Sequence, residues 1–142
     1  ISEDNRNALA DSLPTWPAFA DTAPSLARLG ERFTLNIISN IDDDLFGQTA
    51  KTLQAPLHTV TTAQQARAYK PDLAPFRIAL GRIGAPQARV LHVAQSLYHD
   101  IVPAREFGLS TVWVDRRHDR QGAGATPVAN AVPHWRVTSL SR

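Results

Sequence analysis

Three short groups of polar residues could do chemistry together. Ser39-Asn40 offers a hydroxyl and an amide. Tyr69-Lys70-Pro71-Asp72 offers an ammonium. Ala94-Gln95-Ser96, with Asp100 a turn later, offers a hydroxyl and a carboxylate. Such a set can hold an anion, keep a neighbouring acid ionised and place a water beside a carboxylate. Each group has a plainer reading. Ser39-Asn40 precedes Asp42-Asp43-Asp44 and suits a helix start, where acids are favoured. Lys70 suits a solvated loop. Ser96 suits a helix cap, and Asp100 a solvent face. The functional reading gains weight because all three groups fall at comparable strand ends.

Those strand ends come from the patterning. FTLNIIS, LHTVTT, RVLHV and LSTVWVD are apolar, β-branched runs of strand length. Helical patterns separate them. One starts at Asp21 or Thr22 with Leu26 and Leu29 on a face and Gly30 near its end. A second runs over IDDDLFGQTAKTLQA, and TAQQARAYK gives a brief helix or loop. A third runs over PDLAPFRIALGRIG with Pro71 in its first turn. A fourth runs over SLYHDIVPAREFG with a bend at Pro103. ISEDNRNALADSLP reads as a leading helix capped by Ser2 and ended by Pro14. The segment 116–133 reads as a polar loop, and HWRVTSL as a last strand or extended tail. Strand and helix alternate, and nearly continuous apolar strands indicate burial on both faces. The expected fold is α/β, a doubly wound parallel sheet with right-handed crossovers. In such sheets ligands bind beyond the carboxyl ends of the strands, where the three polar groups lie.

Composition narrows the options. The chain has 142 residues, 43% hydrophobic and 20% charged, with a formal charge of +2, which fits one globular domain. It has no Cys, so thiolate catalysis, disulfides and zinc–thiolate sites are excluded. That fits a reducing compartment, and the cytoplasm is the expected location. No apolar run approaches a membrane span, and no signal peptide opens the chain. Basic residues are dispersed, so no nucleic-acid or membrane surface is expected; Arg116 to Arg120 reads as solvated loop. The histidines lack metal-site spacing, and His92 lies inside a strand. Asp42-Asp43-Asp44 fits helix-start electrostatics better than a cation loop. Trp16, Trp113 and Trp135 read as packing residues, and no phosphate-cradling glycine motif occurs.

IISN, YKPD and HVAQSLYHDIVPAREFGLSTVWVDR, in this order, resemble the haloacid dehalogenase superfamily, and most of all its 2-haloacid dehalogenase-like (type II) branch. The likeness runs from about Trp16 to Asp115. It implies a Rossmann-like core in which an aspartate on the first sheet strand is the nucleophile. It further implies Ser39 as the second motif, Asn40 as a contact to substrate or leaving group, and Lys70 as the lysine that charge-balances the nucleophile. Ser96 and Asp100 match the acidic fourth motif.

The chain departs from this pattern in two ways. No apolar strand ending in Asp-x-Asp precedes Ser39. In the family that strand lies between those matching FTLNII and RVLHV, and unpaired buried backbone groups cost roughly 1–3 kcal/mol each. Residues 1–16 look like the tail of a cap domain and its link, and 17–142 like the core. The first motif and most of the cap are therefore expected from an N-terminal segment or a second chain. Ile1 is not Met, and the chain contains no Met at all, which fits that expectation. The second departure is Ala94-Gln95, where phosphatases of the superfamily carry Gly-Asp. Gln95 is a poor Mg²⁺ ligand, so the resemblance favours metal-free chemistry with no cofactor.

The leading expectation is a hydrolase that displaces halide from a small 2-haloacid through an aspartyl ester. Ser39 and Asn40 would hold the small anionic substrate, Lys70 the nucleophile's charge, and Asp100 with Ser96 the hydrolytic water. One alternative is a Mg²⁺-dependent phosphatase of the same superfamily. Another is a non-catalytic core serving as a binding or assembly module. A homodimer is among the assemblies the sequence allows.

Overall fold

A computed structural model describes residues 8–120 and 126–141. The Ser2 cap lies outside these residues, as does the middle of the long polar loop. A short helix α1 (Ala8–Ser12) runs into a 3₁₀ turn containing Pro14. Then come α2 (Thr22–Gly30), β1 (Leu35–Ser39), α3 (Asp43–Leu53), β2 (Leu57–Thr62), α4 (Ala63–Ala66) and α5 (Ala74–Ile83). The second part holds β3 (Leu91–Ala94), a π-helical turn (Leu97–Ile101), α6 (Val102–Glu106), β4 (Ser110–Val114) and β5 (Trp135–Val137). Pro71 stands outside its helix. Pro75 takes the first-turn place instead, where a missing N–H is harmless, and Asp72 Oδ1 accepts from the Ala74 N–H at 2.7 Å. Pro103 likewise sits in the first turn of α6, after the π turn, so it interrupts no regular helix.

All strand pairs are parallel, as the alternation of strand and helix requires. The strands form two separate ladders among the described residues: β1 with β2, and β3 with β4 and β5. β1 and β3 each keep an edge without a strand partner, at the place where the family resemblance puts its first strand. The expectation of strands buried on both faces fails at β3. Leu91 is 51% and Val93 43% exposed, while His92, between them, faces the core. One face of β3 is covered and the other is open.

The core explains why the covered face is the useful one. Phe76 of α5, Ala104 of α6 and Leu109 are buried together, with Ile38, Leu80, Val90 and Phe107 against them. The Phe76 ring stacks with Phe107 at 6.1 Å and meets the His92 ring at 5.1 Å. One apolar cluster thus ties both ladders to the same two helices and lies beneath the polar rim. At the other end of the sheet, Gly30 closes α2 against Pro56. A Cβ there would stand 2.5 Å from the proline Cγ, so only glycine permits this approach.

A polar latch joins distant parts of the chain. Both oxygens of Asp21 accept from Arg116 Nη1, at 2.8 and 2.9 Å, and Oδ2 also accepts from the Leu140 N–H at 2.7 Å. Arg116 also lies over the Phe19 ring. The Arg116 hydrogen bonds hold the Asp21 carboxyl below its ordinary range; burial opposes this and the Leu140 amide adds to it. A carboxyl depressed in the folded state stabilises fully above its unfolded pKa, about 3.9, and loses that contribution as pH falls through the lower folded value. Asp21→Asn should therefore lower stability at neutral pH, with the gap to the parent closing in acid. Urea unfolding across a pH series measures this. A gap that stays constant with pH would contradict it.

Among the described residues no helix is long and apolar enough to cross a membrane. The acidic run behaves as a helix start. Asp43 opens α3 and accepts from Thr62 Oγ1 and Gln65 Nε2, both at 2.7 Å, which ties α3 to α4.

Candidate active site

The site forms because β1 and β3 end at one rim and the segment before α5 crosses it. Lys70 Nζ donates to Asp100 Oδ1 at 2.6 Å and to the Ile38 carbonyl at 2.8 Å. Both charged side chains are about nine-tenths buried, at 10% exposure each. Residues thirty apart in sequence thus make an enclosed ion pair at one rim. An ammonium has three donors, so one Lys70 proton remains for a further acceptor.

Asp100 sits in the π turn. The wider turn is entered at Ser96, whose carbonyl accepts from the N–H groups of both Asp100 and Ile101 at 3.2 Å. Asp100 Oδ1 also meets His92 Nε2 at 3.2 Å. Oδ2 has no hydrogen-bond partner among the described residues, so it is the oxygen available to a water. Burial of Asp100 works against its charge. The His92 hydrogen bond and the Lys70 charge outweigh it, and the carboxyl is held below its ordinary range. A carboxylate so placed stays ionised at neutral pH. It is a weak base, better suited to orienting a water than to keeping its proton.

His92 was missed by the residue reading, which weighed it only as a metal ligand. The available signal was a single polar residue inside an apolar strand, one alternation before the strand end. His92→Phe keeps a ring against Phe76 but removes the bond to Asp100. Burial then weighs more heavily, so the Asp100 pKa should move up, and the protein should be less stable at neutral pH with the gap to the parent narrowing on acidification. Carboxyl NMR titration reads this directly, and an unmoved Asp100 would refute it.

The remaining predicted residues are placed as follows. Ser96 caps the turn: its Oγ accepts from the His99 N–H at 3.0 Å and lies 3.1 Å from His99 Nδ1. Its hydroxyl is directed at His99, and no hydrogen bond joins it to Asp100. Ser39 ends β1 beside Thr62 of β2, half-buried, with its hydroxyl unbonded among the described residues. Asn40 follows it and faces the backbone of Lys70. Its Oδ1 accepts from the Lys70 N–H at 2.7 Å and its Nδ2 donates to the Lys70 carbonyl at 3.0 Å. Asn40 also lines a pocket of about 190 Å³ with Leu9, Leu13, Leu45 and Tyr69, so α1 reaches over the rim.

Among the described residues no three His, Asp or Glu side chains gather as a metal site. Asp100 is the lone carboxylate at the Lys70 rim, and one of its oxygens is already engaged by Lys70 and His92. Gln95 lines a different cavity, of about 260 Å³, with Trp113, Asp115 and Arg136. Its carbonyl accepts from Trp113 Nε1 at 2.8 Å; Trp16 and Trp135, expected to be packing residues, are instead 55% and 57% exposed.

No family model matches the chain. Over 149 aligned positions it is 26% identical to an (S)-2-haloacid dehalogenase of Pseudomonas putida, covering 99% of this chain and 65% of that protein. Over 106 positions it is 31% identical to haloacid dehalogenase-like hydrolase domain-containing protein 3 of Danio rerio, covering 72% of this chain and 43% of that protein. The structure of L-2-haloacid dehalogenase from Xanthobacter autotrophicus with chloropropionic acid covalently bound superimposes with a TM-score of 0.80 at 19% identity, covering 99% of this chain and 65% of that one. The chain thus spans less than two thirds of the length of these relatives. The curated relatives that the chain resembles are thus members of the haloacid dehalogenase superfamily, and its parallel α/β core shares the fold of the solved dehalogenases.

Proposed function

We propose that this chain is the larger part of a hydrolase that displaces halide from a small 2-haloacid. The observation that carries the reading is the enclosed Lys70–Asp100 pair, which leaves one ammonium proton and one carboxylate oxygen unengaged at the same rim. The 26% likeness to an (S)-2-haloacid dehalogenase supports the choice of substrate class. Gln95, standing where phosphatases of the superfamily carry an acidic residue, favours this reading over a phosphatase, whose dianionic substrate needs a metal to offset its charge.

The nucleophilic carboxylate comes from a segment outside these residues, an N-terminal piece or a second chain. The strand edges of β1 and β3, which lack partners among the described residues, support that placement, as does the open face at Leu91 and Val93. An apolar strand between them would complete one parallel sheet and bring its last residue to the Lys70 ammonium. The carboxylate attacks the carbon bearing the halogen, the carbon–halogen bond breaks, and halide leaves with its electron pair. Lys70 keeps the attacker ionised. Ser39 and the outer N–H of Asn40 hold the substrate carboxylate or the departing halide. The pocket lined by Leu9, Leu13 and Leu45 takes the small alkyl group. A water on Asp100 Oδ2 then attacks the ester carbonyl, releasing the 2-hydroxy acid and restoring the carboxylate. Ser96 acts through the turn that carries Asp100.

The test is halide release from (S)-2-chloropropionate, beside phosphate release from a generic phosphomonoester with Mg²⁺. Both are run on the product of the complete reading frame and on residues 1–142 alone. Halide from the former and nothing from the latter is expected. Phosphate release alone would replace the reading with the phosphatase. Release of neither would leave the non-catalytic module.

A further inference from the structure

We infer that Asn40 is a positioning residue for Lys70, over and above any contact with substrate. The geometry is two-ended. The Asn40 amide pairs with both backbone polar groups of Lys70, at 2.7 and 3.0 Å. Two residues back on the same segment, the Ile38 carbonyl accepts from the Lys70 ammonium at 2.8 Å. The end of β1 therefore grips Lys70 at its peptide and at its charge, and the long side chain between is held to one path. A free lysine samples many rotamers, and fixing both ends removes that freedom before any substrate arrives. Asn suits the place because a primary amide offers an acceptor and a donor on one planar group, matching the N–H and C=O of one residue. Its second Nδ2 proton stays available toward the pocket, so the two roles do not compete. The catalytic consequence rests on the hydrolase reading above, but the positioning itself does not.

The chain has only two lysines, which makes a direct measurement practical. Lys51 is exposed in the last turn of α3 and serves as an internal standard. Brief acylation of the intact protein with an amine-reactive acetyl ester, followed by peptide mass mapping, gives the ratio of Lys70 to Lys51 labelling. Asn40→Ala should raise that ratio about tenfold, the effect of losing roughly two ordinary hydrogen bonds. Asn40→Asp keeps the acceptor and loses the donor, so its ratio should fall between parent and Asn40→Ala. Asn36→Ala is the control for general loosening. It removes the asparagine within β1, whose Oδ1 accepts from Thr59 Oγ1 at 2.7 Å, and should leave the ratio at the parent value.

A parent-like ratio in both Asn40 variants would overturn the inference, and so would an equal rise in Asn36→Ala. In the active protein, Asn40→Ala should lower kcat more than it raises KM. A change confined to KM would assign Asn40 to substrate alone and also overturn it. If the labelling ratio rises but the parent never releases halide, the positioning role stands and the proposed reaction fails.

Discussion

Lys70→Ala in the product of the complete reading frame is expected to lower turnover of a 2-haloacid by about 10²–10³-fold, the usual effect of removing one preorganised charge or donor from an enclosed site. The geometry explains why so much depends on one side chain. The ammonium is nine-tenths buried, spends one proton on Ile38 and one on Asp100, and has one left for the incoming carboxylate. Without it, that carboxylate and Asp100 would face each other as like charges in a desolvated space. One of them would take up a proton, and the nucleophile would be lost over part of the working pH range. The residual activity of Lys70→Ala should therefore show its acid limb at higher pH than the parent's. Lys70→Arg should not restore the rate. A planar guanidinium is bulkier than an ammonium and cannot aim single protons at a carbonyl, a carboxylate and a third group from one nitrogen. Steady-state halide release against pH checks all of this. Near-parental turnover in Lys70→Ala would end the assignment.

Asp100→Asn should separate the two halves of the reaction. The first half, displacement of halide, does not use the Asp100 Oδ2 water, and the second does. The variant should release halide in a burst matching the enzyme concentration and then slow by about 10²–10⁴-fold, the range for losing a positioned acid–base group. During the stall, the intact mass should rise by the carboxyalkyl unit of the substrate, held as an ester of the nucleophilic carboxylate. The variant should also be less stable, because the buried Lys70 loses its charged partner at 2.6 Å and keeps only the nucleophilic carboxylate. Urea unfolding measures that loss independently of activity. Unchanged steady-state turnover in a folded Asp100→Asn protein would remove the water-positioning role.

Much of the fold was legible because its signals are local. The runs FTLNIIS, LHTVTT and LSTVWVD carry their strand character in their own side chains, and β1, β2 and β4 fall within them. Gly30 and Gly84 mark helix ends, Gly30 by its close approach to Pro56 and Gly84 by a positive φ. Pro71 misled because a proline is compatible with several first-turn positions, and Pro75, four residues on, fills that position better. The burial of β3 misled for a different reason. An apolar run tells that a strand can be covered on both faces, and only packing tells whether anything covers it. Leu91 and Val93 show the difference.

The amino-acid sequence by itself determined the parallel α/β class, the segments following the strands that bring Ser39, Lys70 and Asp100 to the rim, and the likeness that links them, because propensity, alternation and motif spacing are properties of neighbours. Only the tertiary structure decided which of those groups touch. Ser96 turned to His99, Asn40 turned to the backbone of Lys70, and His92 joined Asp100. Hydrogen bonds at this rim are directional to within an ångström, and they join side chains and backbone that the chain brings together from up to 32 residues apart. No pattern along one dimension fixes which way a side chain will face once its strand, turn and helix have closed around it.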